Sequence, residues 1–407
     1  MRATDDADGS LLLTSDRIGA LLQAVVERAG GHLGEWSMDH VDSNPGLSTT
    51  ATYVAQVHWP YGEREELIGV SARTGGRGSG DERALLFTID GREVAAWVYP
   101  ADPELPGLQR AAYPERMAEL INDEGLLDRP ISSGQISLAM IGYRPRRRAV
   151  LRCAIADPRT TFYVKVQKAR AFAETLHRHR LLLDAGVPSP VVRVATDDHI
   201  LVLDELPGRP LAKAIFDPAP PCTAEALIDL LDSMPSSVAA LERRPPWSDA
   251  VDHYAGVITA AMADQGPRLA WMCARIHEGL DPIEVGNEAT HGDFHEGQVF
   301  VRDGVPSGML DIDTIGPGRR ADDLACLVAH LSTVQRMNPE QKATVHALIR
   351  RWVPVFDERV DPVELRLRSA AVIISLATGP YRGQEPDWWR ETTWILDAAE
   401  ALVRQVS

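Results

Sequence analysis

Apolar and polar positions are spaced differently in the two halves of this chain. The first half holds short strand-prone runs divided by turn signals. These are Thr50–His58, Glu66–Val70, Ala84–Ile89 and Val94–Tyr99, broken by Pro60-Tyr61-Gly62 and Asp90-Gly91. A helix over Arg17–Ala29 precedes them, with Ser15 or Asp16 as cap and Gly30-Gly31 as stop. Pro100–Leu108 reads as an irregular crossing, followed by a helix over Pro114–Asn122. The glycine-rich stretch Arg73–Gly80 is followed by no GK[ST] and no strand-to-helix context, so it reads as a connection, not a phosphate cradle.

A new pattern begins at Ile131. Strands over Ala149–Ile155 and Thr161–Gln167 flank the turn Asp157–Thr160. The second strand alternates Phe162, Val164 and Val166 with Tyr163, Lys165 and Gln167. A helix over Ala169–Ala185 carries Phe172, Leu176 and Leu183 as its expected core stripe, and Gly186 stops it. His199–Leu203 is a short buried strand running into Asp204–Gly208. From residue 209 onward the periodicity is mostly helical, over Thr223–Leu231, Trp247–Ala263, Gly266–Glu278 and a helix opening at Asp322.

One stretch interrupts those helices: His291–Asp313, HGDFHEGQVFVRDGVPSGMLDID. Its apolar runs Val299–Val301 and Gly308–Leu310 flank a polar turn, Asp303–Ser307, and predict a hairpin. Opposite ends of an antiparallel pair meet, so Gln298 is expected beside Asp311, with Asp293 on the loop just upstream. A carboxylate and an amide oxygen together suit magnesium, which shares phosphate oxygens. A separate loop carboxylate suits acceptance of a hydroxyl proton.

HGDFHEGQ followed by LDID resembles the signature of the aminoglycoside phosphotransferase family, which also takes in choline kinases and maltokinases. The resemblance implies an α+β, bilobal protein-kinase-like fold with a small β-rich N-lobe (129–206) and a mostly helical C-lobe (207–407). Residues 1–128 form an extra α/β cap, loosely similar to the cap of actinobacterial maltokinases and glucosamine kinases. By this resemblance Asp293 is the catalytic base, and Gln298 and Asp311 are magnesium ligands. Lys165 is the strand lysine for the ATP phosphates, oriented by Glu174, although Glu174 also stands four residues from Arg178. The basic turn Arg144–Arg148 occupies the place of the nucleotide-covering loop. Glu205 and Leu206 form the adenine-reading hinge, with Val202 as an apolar wall. Asp323 is the anchor of the catalytic loop; helix capping by Asp322 or Asp323 is the competing role. Asp313 and the tail residues Arg382, Gln384 and Trp388 are expected at the acceptor, although paired tryptophans also tie helices together.

Composition narrows the function further. The formal net charge is -16 over 407 residues, which disfavours nucleic acid and mildly favours a cationic or neutral acceptor. The length calls for more than one hydrophobic core. Only four lysines occur, Lys165, Lys168, Lys213 and Lys342, so lysine candidates for phosphate are few. The cysteines Cys153, Cys222, Cys273 and Cys326 have no metal or disulfide spacing, and a reducing cytoplasm is expected. No apolar run reaches membrane length.

The reading that emerges is an ATP- and Mg2+-dependent phosphotransferase acting on a small-molecule hydroxyl, as a monomer or homodimer. An aminoglycoside or amino sugar is the favoured acceptor and a maltokinase-like sugar the alternative. A non-catalytic nucleotide-binding pseudokinase, and a metal hydrolase built on His291, Asp293 and His295, are the readings it competes with.

Overall fold

A computed structural model describes residues 8–44, 46–74, 83–89, 91–334, 337–383 and 385–406. The chain divides into two compact units. The first comprises Met1–Ala173, Val192–Glu205 and Arg382–Gln384, and the second Glu174–Val191, Leu206–Tyr381 and Glu385–Ser407. The expected cap and most of the expected N-lobe fall in the first, but 174–191 and Leu206 fall in the second.

The first unit holds two antiparallel five-stranded sheets. One is built from β1 (His32–Asn44), β2 (Ser48–Trp59), β3 (Gly62–Arg73), β4 (Leu85–Ile89) and β5 (Arg92–Val98), in the order β1-β2-β3-β5-β4. The helix Gly19–Arg28 buries Leu21, Leu22, Val25 and Val26 into a core with Tyr53, Val57, Ile68 and Val70. Four of these strands match the expected runs, while β1 was not expected. Its sequence, HLGEWSMDHVDSN, is polar, and it lies at the sheet edge, paired only with β2. The glycine-rich stretch falls largely on residues 75–82, outside the described ones.

The second sheet contains β6 (Ile136–Arg144), β7 (Arg148–Ile155), β8 (Thr160–Gln167), β9 (Val192–Ala195) and β10 (Ile200–Asp204), in the order β6-β7-β8-β10-β9. Phe162, Val164, Val166, Ile200 and Val202 pack with Leu108, Met117, Leu120 and Ile121 in one core. Trp97 of β5 donates from Nε1 to the Tyr143 hydroxyl at 2.8 Å, and that hydroxyl donates to Asp102 Oδ2 at 2.7 Å. The same carboxylate oxygen accepts from the Arg146 N–H at 2.8 Å. The basic turn is therefore tied to the segment that follows β5.

Helices dominate the second unit. Arg320–Ser332, Pro339–Arg359, Pro362–Leu376 and Trp388–Gln405 join Ala224–Asp232, Val251–Ala261 and Gly266–Leu280. The helix Ala169–Asp184 corrects the sequence reading. Its buried residues are Thr175, Arg178, His179 and Leu182, whereas Phe172, Leu176 and Leu183 are only partly buried. Polar residues can face inward there because they are bonded. Arg178 Nε donates to the Ile315 carbonyl at 3.1 Å, and His179 Nδ1 lies 3.1 Å from the Pro190 carbonyl. No helix among the described residues is long and apolar enough to cross a membrane.

Candidate active site

The loop His291–Gln298 is fixed from beneath by one buried carboxylate. Asp323 is fully buried; its Oδ2 accepts from His291 N–H at 2.9 Å and its Oδ1 from Gly292 N–H at 2.8 Å. Arg320 Nη1 balances that charge at 3.0 Å. Asp322 has the other role: its Oδ2 accepts from Arg319 N–H at 3.0 Å and caps the helix. Adjacent aspartates thus divide capping from anchoring.

Local sequence fixes the rest of the loop. Gly292 has φ 80°, and a Cβ there would lie 2.8 Å from the Thr314 carbonyl oxygen, so glycine is required. His291 Nε2 is 2.8 Å from the Leu310 carbonyl and must donate to it. Its Nδ1 then accepts, 3.3 Å from Asp293 N–H. Both ring nitrogens are used inside the loop, which leaves His291 none for a metal and removes it from the hydrolase ligand set. Phe294, fully buried, holds the loop from the core side. Asp293 lies between them, half-buried, with Oδ1 3.9 Å from the Cys326 thiol sulfur.

The hairpin follows at once. Val299–Arg302 pairs with Val305–Met309, Val299 opposite Met309. Leu310 N–H donates to the Gln298 carbonyl at 2.8 Å, which sets Gln298 beside the Leu310-Asp311 step as expected. The turn is tighter than expected. Asp303 (φ 55°) and Gly304 (φ 80°) make it alone, and Val305 is already in the strand. Positive φ at both positions marks a type I′ turn, favoured by Asp-Gly. A register shift between Phe300 and Val301 absorbs the extra residue, Ser307, whose hydroxyl donates to the Pro207 carbonyl at 2.6 Å. Asp311 itself is left-handed, φ 47° and ψ 48°, a conformation aspartate tolerates better than most residues.

The donors on this hairpin fit magnesium. Gly297 N–H donates to His295 Nδ1 at 3.1 Å, and the Gln298 side-chain nitrogen lies 3.2 Å from His295 Nε2. The amide oxygen of Gln298 is the atom that suits a hard cation. Asp311, only partly buried, adds a carboxylate.

Three residues to which the sequence assigns no role, Cys326, His330 and Glu296, surround this loop. Asp323, Cys326 and His330 recur on one face of the helix Arg320–Ser332. His330 stacks on His295, ring centroids 4.2 Å apart and planes 6° apart. Burial, helped by His295, pushes His330 down to about 3, so it is neutral near neutrality. Glu296 is largely buried, which raises its carboxyl above the usual range. Its Oε2 is 3.9 Å from His295 Nδ1 and has no hydrogen-bond partner. The helical spacing of Asp323, Cys326 and His330 was the available signal; Glu296 stood inside the motif unassigned.

In the first unit Lys165 is buried on β8, opposite Val150 of β7 and Leu201 of β10. Val202 is opposite Val164 and buried with it in the core, so it faces away from Lys165. Strand alternation thus puts Leu201 and Val150, and not Val202, on the face of Lys165. Tyr163 OH is 3.5 Å from Glu205 Oε1, at the end of β10. Asp42 receives both Arg147 and Arg382, each at 3.3 Å.

Leu206, in the second unit, is buried against Gly308 of the hairpin. Glu174 Oε2 takes Arg244 at 2.8 Å and Arg178 at 3.4 Å, so the i+4 pair weighed from the sequence forms. Asp313 is buried, and its charge acts on Arg178. Trp388 packs edge-on against Tyr381, centroids 5.0 Å apart. Gln384 lies outside the described residues.

The family model of the phosphotransferase enzyme family, APH, matches residues 129–359. The chain belongs to this family. It is accordingly an ATP-dependent small-molecule kinase that phosphorylates hydroxyl groups, with an α+β kinase-like fold. Among solved structures it is similar to a thermostable mutant of aminoglycoside phosphotransferase APH(4)-Ia, in ternary complex with ADP and hygromycin B. The two are 14% identical over 70% of this chain and 97% of that one, with a TM-score of 0.48. Choline kinase from Cryptosporidium parvum Iowa II is 10% identical over 71% of this chain and 95% of its own, TM-score 0.45. Macrolide 2'-phosphotransferase MphH from Brachybacterium faecium is 15% identical over 72% and 96%, TM-score 0.42. No curated protein matches the chain.

Proposed function

We propose that this kinase moves the γ-phosphoryl group of ATP to a hydroxyl of an aminoglycoside or amino sugar, with Asp293 as the base. What supports this most is one arrangement: a loop carboxylate pinned by Asp323, leading into a hairpin that sets Gln298 beside Asp311. Asp293 accepts the acceptor's hydroxyl proton as the new O–P bond forms and the bond from phosphorus to the β-phosphate oxygen breaks. Gln298 and Asp311 hold magnesium. When bound, magnesium neutralises charge on the nucleotide phosphates. Lys165 holds the α- and β-phosphate oxygens, and main-chain groups of Glu205 and Leu206 meet adenine. Positioning and charge neutralisation supply most of the rate in such chemistry.

The test is Mg2+-dependent ADP release with kanamycin, D-glucosamine, maltose and choline as acceptors. Release with kanamycin or D-glucosamine is expected. Maltose as the preferred acceptor moves the reading to a sugar kinase. Absence of ADP release with every acceptor contradicts it and favours a pseudokinase.

A further inference from the structure

Asp293, Cys326 and His330 bring three different metal-ligating atoms together in the second unit. A carboxylate oxygen, the thiol sulfur and a ring nitrogen all lie within 4.8 Å of one another. Asp293 Oδ1 is 3.9 Å from Cys326 Sγ. Cys326 and His330 stand four residues apart on the helix Arg320–Ser332, so one helical face presents both, and the catalytic loop supplies the third. Zinc is held by two helical ligands at this same spacing in other proteins. A tetrahedral zinc site takes sulfur at about 2.3 Å and nitrogen or oxygen at about 2.0–2.2 Å, which sets its ligand atoms roughly 3.3–3.6 Å apart. A closure of little more than about 1 Å therefore completes the site.

The surroundings favour a cation. Burial, and after it the charges of Asp293, Asp323, Glu296 and Asp322, hold the Cys326 thiol well above its usual range. Arg320 and Arg368 answer Asp323 and Asp322, at 3.0 Å and 2.6 Å. Among the described residues neither Asp293 nor Glu296 is paired with an arginine or lysine, and Glu296 Oε2 is buried without a hydrogen-bond partner. Carboxylates left this way oppose a bare thiolate and favour one that carries a divalent cation. Asp293 and His330 are both partly exposed, which gives an ion access. Magnesium does not suit this set, because thiolate and imidazole call for a softer ion.

We propose that Asp293, Cys326 and His330 form an inhibitory Zn2+ site, distinct from the magnesium pair Gln298 and Asp311. Binding forms the zinc–sulfur bond as the S–H bond breaks and its proton passes to solvent. The ion also takes the Asp293 lone pair that accepts the hydroxyl proton, so turnover stops. That last effect rests on the kinase reading above; the binding itself does not.

The experiment uses Co2+ as probe, since thiolate-bound cobalt absorbs in the near ultraviolet. Co2+ titrated into wild type at saturating Mg2+ should raise that band with one equivalent, and Zn2+ should remove it. Cys326→Ser should abolish the band, whereas Cys153→Ala keeps it. His330→Phe, which preserves a ring against His295, should weaken Co2+ by at least about tenfold, the loss that follows removal of even an orienting partner. Zn2+ should inhibit Mg2+-dependent ADP release by wild type, reversibly with a chelator, and His330→Phe should need at least about tenfold more Zn2+ for the same inhibition. Absence of the band in wild type overturns the site, as does an undiminished band in Cys326→Ser. Should that variant fail to fold, unchanged Co2+ affinity in His330→Phe overturns it instead. Equal inhibition of wild type and His330→Phe overturns the inhibitory role and moves it to the magnesium pair. Failure of the kinase reading is distinguishable, because it abolishes ADP release with every acceptor and leaves the Co2+ titration to decide the site.

Discussion

Single residues here are held by partners that can be removed one at a time. Asp323 is fully buried and bonded to two loop amides and to Arg320. Asp323→Ala removes the partner of both loop amides and of Arg320 Nη1, leaving Arg320 only Asp232 and the Leu231 carbonyl, and should cost about 3–5 kcal/mol in urea unfolding. Asp311→Asn separates conformation from chemistry, since asparagine tolerates the left-handed backbone equally well. It should leave unfolding within about 1 kcal/mol of wild type while weakening Mn2+ binding in the ADP complex, read by electron paramagnetic resonance, by at least tenfold. Unchanged Mn2+ binding would remove Asp311 from the ligand set.

His330 carries a pH dependence of known sign. Its folded value is about 3 against about 6.5 unfolded, so the unfolded chain binds the extra proton between those values. Stability is unaffected above pH 6.5 and falls as pH drops toward 3, by about 2 kcal/mol at pH 5. His330→Phe keeps a ring against His295 without a titrating group. It should reduce the loss between pH 7.5 and pH 5, measured as the shift in urea midpoint.

Elements show why part of this molecule is legible in its sequence and part is not. The catalytic hairpin was readable because alternation and an Asp-Gly turn are local signals, and Gln298 does lie beside the Leu310-Asp311 step. Its turn was misjudged because Pro306 and Ser307 read as turn residues, whereas a bulge at Ser307 keeps both in the strand. Strand β1 was missed because an edge strand need not be apolar. The leucine and phenylalanine spacing of the helix Ala169–Asp184 points to one stripe, yet its buried residues are Thr175, Arg178, His179 and Leu182, with Arg178 and His179 satisfied by main-chain carbonyls no local pattern announces. Val202 was placed by position and not by strand face. Gly304 has open space around its Cβ position, so its positive φ alone resists substitution. Gly304→Val should cost about 1–2 kcal/mol in urea unfolding, with ATP affinity unchanged.

The whole chain has two compact units, and the first joins two sheets that sequence patterning assigns to separate domains. Asp102, bonded to Tyr143 and Arg146, and Trp97, bonded to Tyr143, couple them. Hydrogen exchange should show both sheets opening as one cooperative block, with Tyr143→Phe lowering protection in both by about 1–3 kcal/mol. Independent opening of the residues before 99 would contradict that coupling. For the molecule as a kinase, the decisive measurement is kcat of Asp293→Asn with the best acceptor, alongside calorimetric affinity for Mg2+·ADP. The expected outcome is a fall in kcat of about 10²–10⁴ with affinity within a few-fold of wild type. Near-normal turnover in that variant would contradict the assignment of the base and the phosphoryl-transfer geometry built around it.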